Sequence, residues 1–244
     1  MIKAINIFNG LEKGILNIIK AADIYALHII ANIRNQEPEK EVINELLGSN
    51  KISWLNFLGV AYKNEDIQIL EKDGQLKHIG QQILLSTYTA FEIYLIEKFK
   101  EYYRCLSKNK EGDFLENTLK RFSFRSIKNI AENYYELLKI NLPSFDIEYF
   151  SDDKSSFQPK NSWEAINLIS IARNEIAHIG ESKKYKIVTL MDSWYPFEFI
   201  RRWVSLFDCN FDSLIYEKKE TNLIKVYKER LYKFEKSKTV TLFD

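Results

Sequence analysis

The sequence predicts an all-α chain, and three observations lead there. Glycine and proline are scarce, with eight and four copies in 244 residues, about 5% together against roughly 12% in an average protein. Leu, Ile, Lys and Glu, good or adequate helix formers, are abundant. Apolar residues also return every three to four positions over long stretches, the period of a helix with one buried side.

The elements follow in order. From Leu11 to about Arg34 the apolar positions are Leu11, Ile15, Ile18, Ile19, Ala22, Tyr25, Ile29 and Ile33, and Pro38 lies just beyond. Shorter helical segments follow through Leu47 and Trp54–Tyr62. Gly74 introduces the longest candidate, about Gln75 to Leu106, with Ile79, Ile83, Tyr88, Phe91, Leu95 and Phe99 along it. Residues 123–140 carry Ile127, Ile130, Tyr134, Leu137 and Leu138 on one side. Asn141–Asn161 holds Pro143, Pro159 and a Ser/Asp-rich run, which marks a loop. Ser162 reads as the N-cap of the next helix, with Glu164 in its first turn, and Gly180 stops it. Helices from about Asp192 to Glu217 and Asn222 to Lys236 complete the chain. Residues 1–73 read as an N-terminal helical extension packed on a helical domain of 74–244.

Composition narrows function. A formal net charge of +1 excludes a broadly basic nucleic-acid coat, so any such contact is local. Cys105 and Cys209 are solitary, which fits a reducing compartment. The opening MIKAINIFNG lacks the apolar core of a signal peptide, and no apolar run approaches the ~20 residues that span a bilayer. The expectation is a cytoplasmic protein with no membrane attachment. Most aromatic residues read as core packing.

One hexapeptide carries chemistry: Arg173-Asn174-Glu175-Ile176-Ala177-His178, at the end of the Ser162 helix. Each helical residue advances about 100°, so Asn174 and His178 share a face while Arg173 and His178 differ by roughly 140°. One straight helix does not aim both at one point, so the site is most simply completed by the same helix of a second subunit. Phosphodiester cleavage in RNA suits these groups. The 2′-hydroxyl must lose a proton and the 5′-oxygen must gain one, and histidine exchanges protons near neutral pH. Arginine grips two phosphate oxygens and stabilises charge in the transition state, and the amide of Asn174 can orient phosphate or imidazole. The plain alternative makes His178 a cation at a helix C-terminus and Arg173 a surface residue paired with Glu175 or Glu181.

The hexapeptide resembles the Arg-(four to six residues)-His motif of the HEPN superfamily, including the asparagine often found after the arginine. The long helix before it, with Ser86-Thr87-Tyr88-Thr89-Ala90-Phe91-Glu92, is similar to the helix preceding the motif in defence-associated members. The resemblance is strong over about 20 residues around the motif, moderate over 75–236, and absent from the first 70 or so. It implies an up-and-down helical bundle that dimerises so that two motifs line one cleft. The implied activity is metal-independent endoribonuclease, with His178 as acid/base, Arg173 as phosphate ligand and Asn174 as orienting amide. It also implies a setting in antiviral defence or a toxin–antitoxin-like system with an antitoxin or defence partner. Glu92 would lie against the motif helix, where a carboxylate can fix a guanidinium, or is simply an exposed helical acid. In one toxin branch the motif continues His-x-Tyr and the tyrosine is modified. Here Gly180 takes that place, and Tyr185 is no obvious substitute.

Other candidates are weaker. Lys183, Lys184 and Lys186 follow the motif and either hold RNA phosphates or are merely solvated. Arg201, Arg202 and the interleaved Lys218–Lys238 segment allow the same two readings. His28 and His78 have no neighbouring ligand cluster, so no metal site is indicated, and no Gly-rich loop or nucleophile elbow calls for a cofactor. The rival to a nuclease is a catalytically silent HEPN-like module that binds a partner protein or RNA.

Overall fold

The computed structural model describes residues 3–37, 40, 41, 44, 74–106, 122–148, 157–187 and 190–216. Among these residues every regular element is helical, so the chain is all-α. The expected helices through Leu47, Trp54–Tyr62 and Asn222–Lys236 lie outside the described residues, as does the basic Lys218–Lys238 segment.

Helix α1 runs Ala4–Ile33, starting earlier than expected, and its buried stripe is Ala4, Phe8, Ile15, Ile19, Ala22, Ala26 and Ile30. Leu11, Ile18 and Ile33, expected inside, are exposed. The contact mixes alanines (Ala4, Ala22, Ala26) with the large Phe8, Ile15, Ile19 and Ile30, and the three exposed residues lie on its margin. No side chain caps the helix start at Lys3; instead Glu101 accepts from the Ala4 backbone N–H at 2.8 Å, a carboxylate at the positive end of the helix dipole. An Arg201–Glu12 ion pair of 2.6 Å ties α1 to the last helix. By length and composition α1 is also apolar enough to cross a membrane, although Asn17, Lys20 and Asp23 interrupt any pure run. In the bundle its apolar stripe joins the common core.

Helix α2, Gly74–Leu106, is central: it packs on α1, on the motif helix and on the last helix. Ile83, Tyr88, Phe91, Leu95 and Phe99 are buried as expected, but so are Leu84, Ala90 and Tyr94 on other sides. A helix apolar on most of its circumference is one surrounded by partners. Helix α3, Ile127–Asn133, is capped by Ser126, whose Oγ accepts from the Asn129 N–H at 3.2 Å. It continues as a π-turn over Tyr134–Leu138 and ends at Lys139 in the left-handed region (φ 58°). All five of its expected apolar residues are buried.

Helix α4, Ser162–Ile179, carries the hexapeptide. Its N-cap is Asn161, not Ser162: Asn161 Oδ1 accepts from the Glu164 N–H at 2.8 Å, and Glu164 accepts from the Lys160 N–H at 2.7 Å. Ser162 is the first helical residue. Its N–H donates to Asp146 and its Oγ accepts from the Ile147 N–H, which clamps the incoming loop to the helix start. Gly180 ends α4 with φ 87°, its N–H donating to Ile176 O at 2.9 Å.

Helix α5, Leu190–Tyr216, lays an aromatic ridge of Trp203, Phe207 and Phe211 on α2 and α3. It tolerates an internal Pro196. The missing N–H would have donated to the carbonyl of Asp192, and the hydroxyl of Tyr185 donates to that carbonyl instead. Tyr185 is therefore a buried structural tyrosine, packed edge-on against Phe157.

One polar group sits inside the α1 contact. Asp23 is 3% exposed, and neither carboxylate oxygen has a hydrogen-bond partner among the described residues. Burial pushes its pKa up to about 8 from 3.8. The folded protein thus holds a proton that the unfolded chain releases, so stability declines as pH rises from about 4 and the loss is complete above about 8. Asp23→Asn removes this titration. In urea denaturation the variant should match the parent near pH 4 and exceed it by on the order of a few kcal/mol near pH 8; parallel pH profiles would contradict the burial of a neutral acid.

Candidate functional site

The last two turns of α4 bury Ala172 and Ile176 in the core and leave their opposite side open to solvent. Asn174 and His178 are both exposed on one side, four residues apart, as helix geometry requires. The imidazole of His178 has no hydrogen bond or ion pair among the described residues. Arg173 is half-buried and turned toward α2. Its Nη1 donates to Asn174 Oδ1 at 2.8 Å, and its Nη2 lies 4.0 Å from Glu92 Oε2. Its guanidinium carbon stands 5.8 Å from the centroid of the Tyr88 ring. The structure therefore brings Glu92, Arg173 and Asn174 together and sets His178 one turn beyond.

Two residues that the sequence did not single out complete the support. Tyr88 donates from its hydroxyl to Ser170 Oγ at 2.8 Å, which fixes the ring that Arg173 covers. Burial raises the Tyr88 pKa, so the hydroxyl stays a donor. Burial also raises the Glu92 pKa, against the opposing pull of the Arg173 charge. Tyr88 and Glu92 are one turn apart on α2, and Ser170 and Arg173 one turn apart on α4. Each pair is ordinary helical spacing, so only tertiary packing reveals the four as a group.

The alternative pairing of Arg173 with Glu175 or Glu181 is not what forms. Glu175 turns the other way and gathers the loop after the helix: Ser182 Oγ donates to it at 2.6 Å, and the backbone N–H groups of Lys183 and Lys184 donate at 2.8 and 3.4 Å. The Ser182 bond leads the causes that lower the Glu175 pKa. Glu181 pairs with Lys77 at 3.5 Å, and Gln81 donates to the Gly180 carbonyl at 2.8 Å. The loop is thus fastened on both sides, and it presents Lys183, Lys184 and Lys186 as exposed cations next to the motif. Arg201 is engaged by Glu12 and Glu198, while Arg202 is exposed.

His78 faces Gln81 and His28 bonds its own helix, and no group of three potential metal ligands occurs among the described residues. The arrangement offers a guanidinium held by a carboxylate, an amide and an imidazole open to solvent, and cations on the following loop. That set can bind a phosphate and exchange protons beside it. Comparison with protein-family models, with curated proteins and with solved structures finds no match.

Glu175 gives the loop a pH dependence of known sign. A carboxylate whose folded pKa is depressed holds its partners above the ordinary carboxylate range and releases them as pH falls through the folded value. Glu175→Gln should speed hydrogen exchange at the Lys183 and Lys184 amides at neutral pH. The parent should approach the variant's rates, corrected for intrinsic pH effects, only below pH ~4. Equal protection in both at pH 7 would show that the carboxylate does not hold the loop.

Proposed function

We propose that the chain is a metal-independent endoribonuclease of the HEPN type, acting as a homodimer whose two α4 helices line one cleft. One observation carries the reading: Asn174 and His178 stand open on one side of α4 while Asn174 and Glu92 hold the Arg173 guanidinium beside them. In the reaction the 2′-oxygen forms a bond to the adjacent phosphorus as the bond to the 5′-oxygen breaks. His178 of one subunit takes the 2′-hydroxyl proton, and the partner subunit's His178 supplies one to the leaving oxygen. The products are a 2′,3′-cyclic phosphate and a free 5′-hydroxyl. Arg173 neutralises charge on the phosphorane oxygens, Asn174 orients it, and Glu92 limits its freedom. Lys183, Lys184 and Lys186 grip flanking phosphates.

A second copy answers a geometric need. Arg173 and His178 leave the helix about 140° apart, so one α4 supplies only part of an enclosing site. The resemblance around the motif adds a setting: a cytoplasmic module in prokaryotic antiviral defence or a toxin–antitoxin-like system, restrained by a partner protein. A second reading, a catalytically silent module that binds a partner protein or RNA, draws on the fact that Arg173 is already engaged within its own subunit.

Mixed RNAs incubated with purified protein in EDTA separate the two. The nuclease leaves 2′,3′-cyclic phosphate ends. His178→Ala should slow cleavage by about 10²–10⁴-fold and Arg173→Ala by about 10²–10³-fold. Absence of cleavage by a folded dimer supports the silent module. Light scattering after size exclusion tests the shared cleft, since full activity in a strict monomer would contradict it.

A further inference from the structure

The chemistry above leaves one built feature unused. A groove of about 470 Å³ opens between α3, its π-turn and the first half of α4. Two aromatic side chains line it: Tyr135, 57% exposed, and Trp163, half-buried and packed on the core. A single exposed ring is ordinary, but two rings in one groove with two amides, Asn141 and Asn167, make a concave surface suited to a flat polar ligand. Lys139 stands 5.7 Å from the Tyr135 ring centroid and adds positive charge beside it.

Charge decides what part of a ligand fits. Counting Lys139 at its rim, the groove has two ammoniums, Lys128 and Lys139, and two carboxylates, Glu132 and Glu136. With its charges balanced, the groove attracts a phosphate less than do Arg173 and the exposed loop lysines. Amides and carboxylates instead complement the ring nitrogens and exocyclic amino groups of a nucleobase, while the rings supply stacking surfaces.

Placement connects the groove to the motif. Trp163, Asn167, Ile171, Asn174 and His178 fall within ~80° of arc on α4 and form one continuous ridge. Ile171 in its middle is exposed. From Asn167 to Asn174 the helix rises roughly 10 Å, a distance that an extended single strand covers within a couple of nucleotides. We infer that the groove seats one unstacked base of a single RNA strand, between Tyr135 and Trp163 with Asn141 and Asn167 on its edge, while a nearby phosphate of that strand lies at Arg173, Asn174 and His178. The strand's path rests on the nuclease reading; the groove's affinity for a base is measurable without cleavage.

The test uses the slow-cleaving His178→Ala protein and a short fluorescent single-stranded RNA, read by anisotropy. Adding Tyr135→Ala, an exposed change that spares the core, should weaken binding by about five- to fiftyfold. Adding Asn167→Ala should weaken it by about three- to tenfold. Undiminished affinity in both overturns the inference. So does competition by AMP or CMP as effective as that of the oligonucleotide, which would make the groove a free-nucleotide site. Tyr135-dependent binding by a chain that never cleaves RNA upholds the groove and removes the nuclease reading. Cleavage with Tyr135-independent binding does the reverse.

Discussion

The seam between α2 and α5 sets the position of everything else. Phe91 meets Trp203 edge-on at 5.3 Å, and Trp203 stacks on Phe207 at 4.6 Å. Tyr134 from the π-turn lies against both Phe99 and Phe207, and Phe145 from the following loop contacts both Trp203 and Phe207. Large rigid rings leave few ways to pack, so the seam fixes the rotation of α2 as well as its distance from α5. At its margin Asp208 accepts from both Lys98 and Tyr94, which adds a directional bond to a contact that is otherwise apolar. Glu92 follows Phe91 directly, so anchoring the phenylalanine also aims the carboxylate at α4.

The Arg173 environment is a compromise between solvation and order. A guanidinium in open water pairs weakly with any carboxylate, while deep burial of the pair would cost more than the attraction returns. Here both side chains are partly covered, and Glu92 loses enough water for burial to dominate its titration. The 4.0 Å separation restrains Arg173 without consuming its capacity for a phosphate. Tyr88 contributes a face rather than a bond, so the arginine can slide across the ring.

The sequence was most legible where structure is locally determined. The limits of α2, the buried stripe of α3 and the glycine stop of α4 follow from spacing and from the left-handed turn at Gly180. On α1 the spacing marks Ile15, Ile19, Ala22, Tyr25 and Ile29 as core-facing, as they are. Leu11, Ile18 and Ile33 at the margin are exposed, and Ala4 and Ala26, which carry little apolar signal, are buried. Asn161 and Ser162 are both good caps, and the choice between them depends on Asp146, sixteen residues away. Arg173, Asn174 and His178 stood out because they are adjacent in sequence. Tyr88 and Ser170 did not, since their bond joins positions eighty-two residues apart. The tolerance of Pro196 is not legible from its own helix for a related reason, because the hydroxyl that compensates for it belongs to another segment.

That other segment is the loop after the motif. A helix normally satisfies its own carbonyls, so its first turn can fray without consulting the rest of the molecule. The carbonyl of Asp192 instead depends on the hydroxyl of Tyr185, five residues past Gly180, in the loop that Glu175 and Gln81 pin down. The loop and the first turn of α5 therefore open as one unit or stay closed together. Any force on the loop lysines is shared with a long helix rather than absorbed by the loop alone.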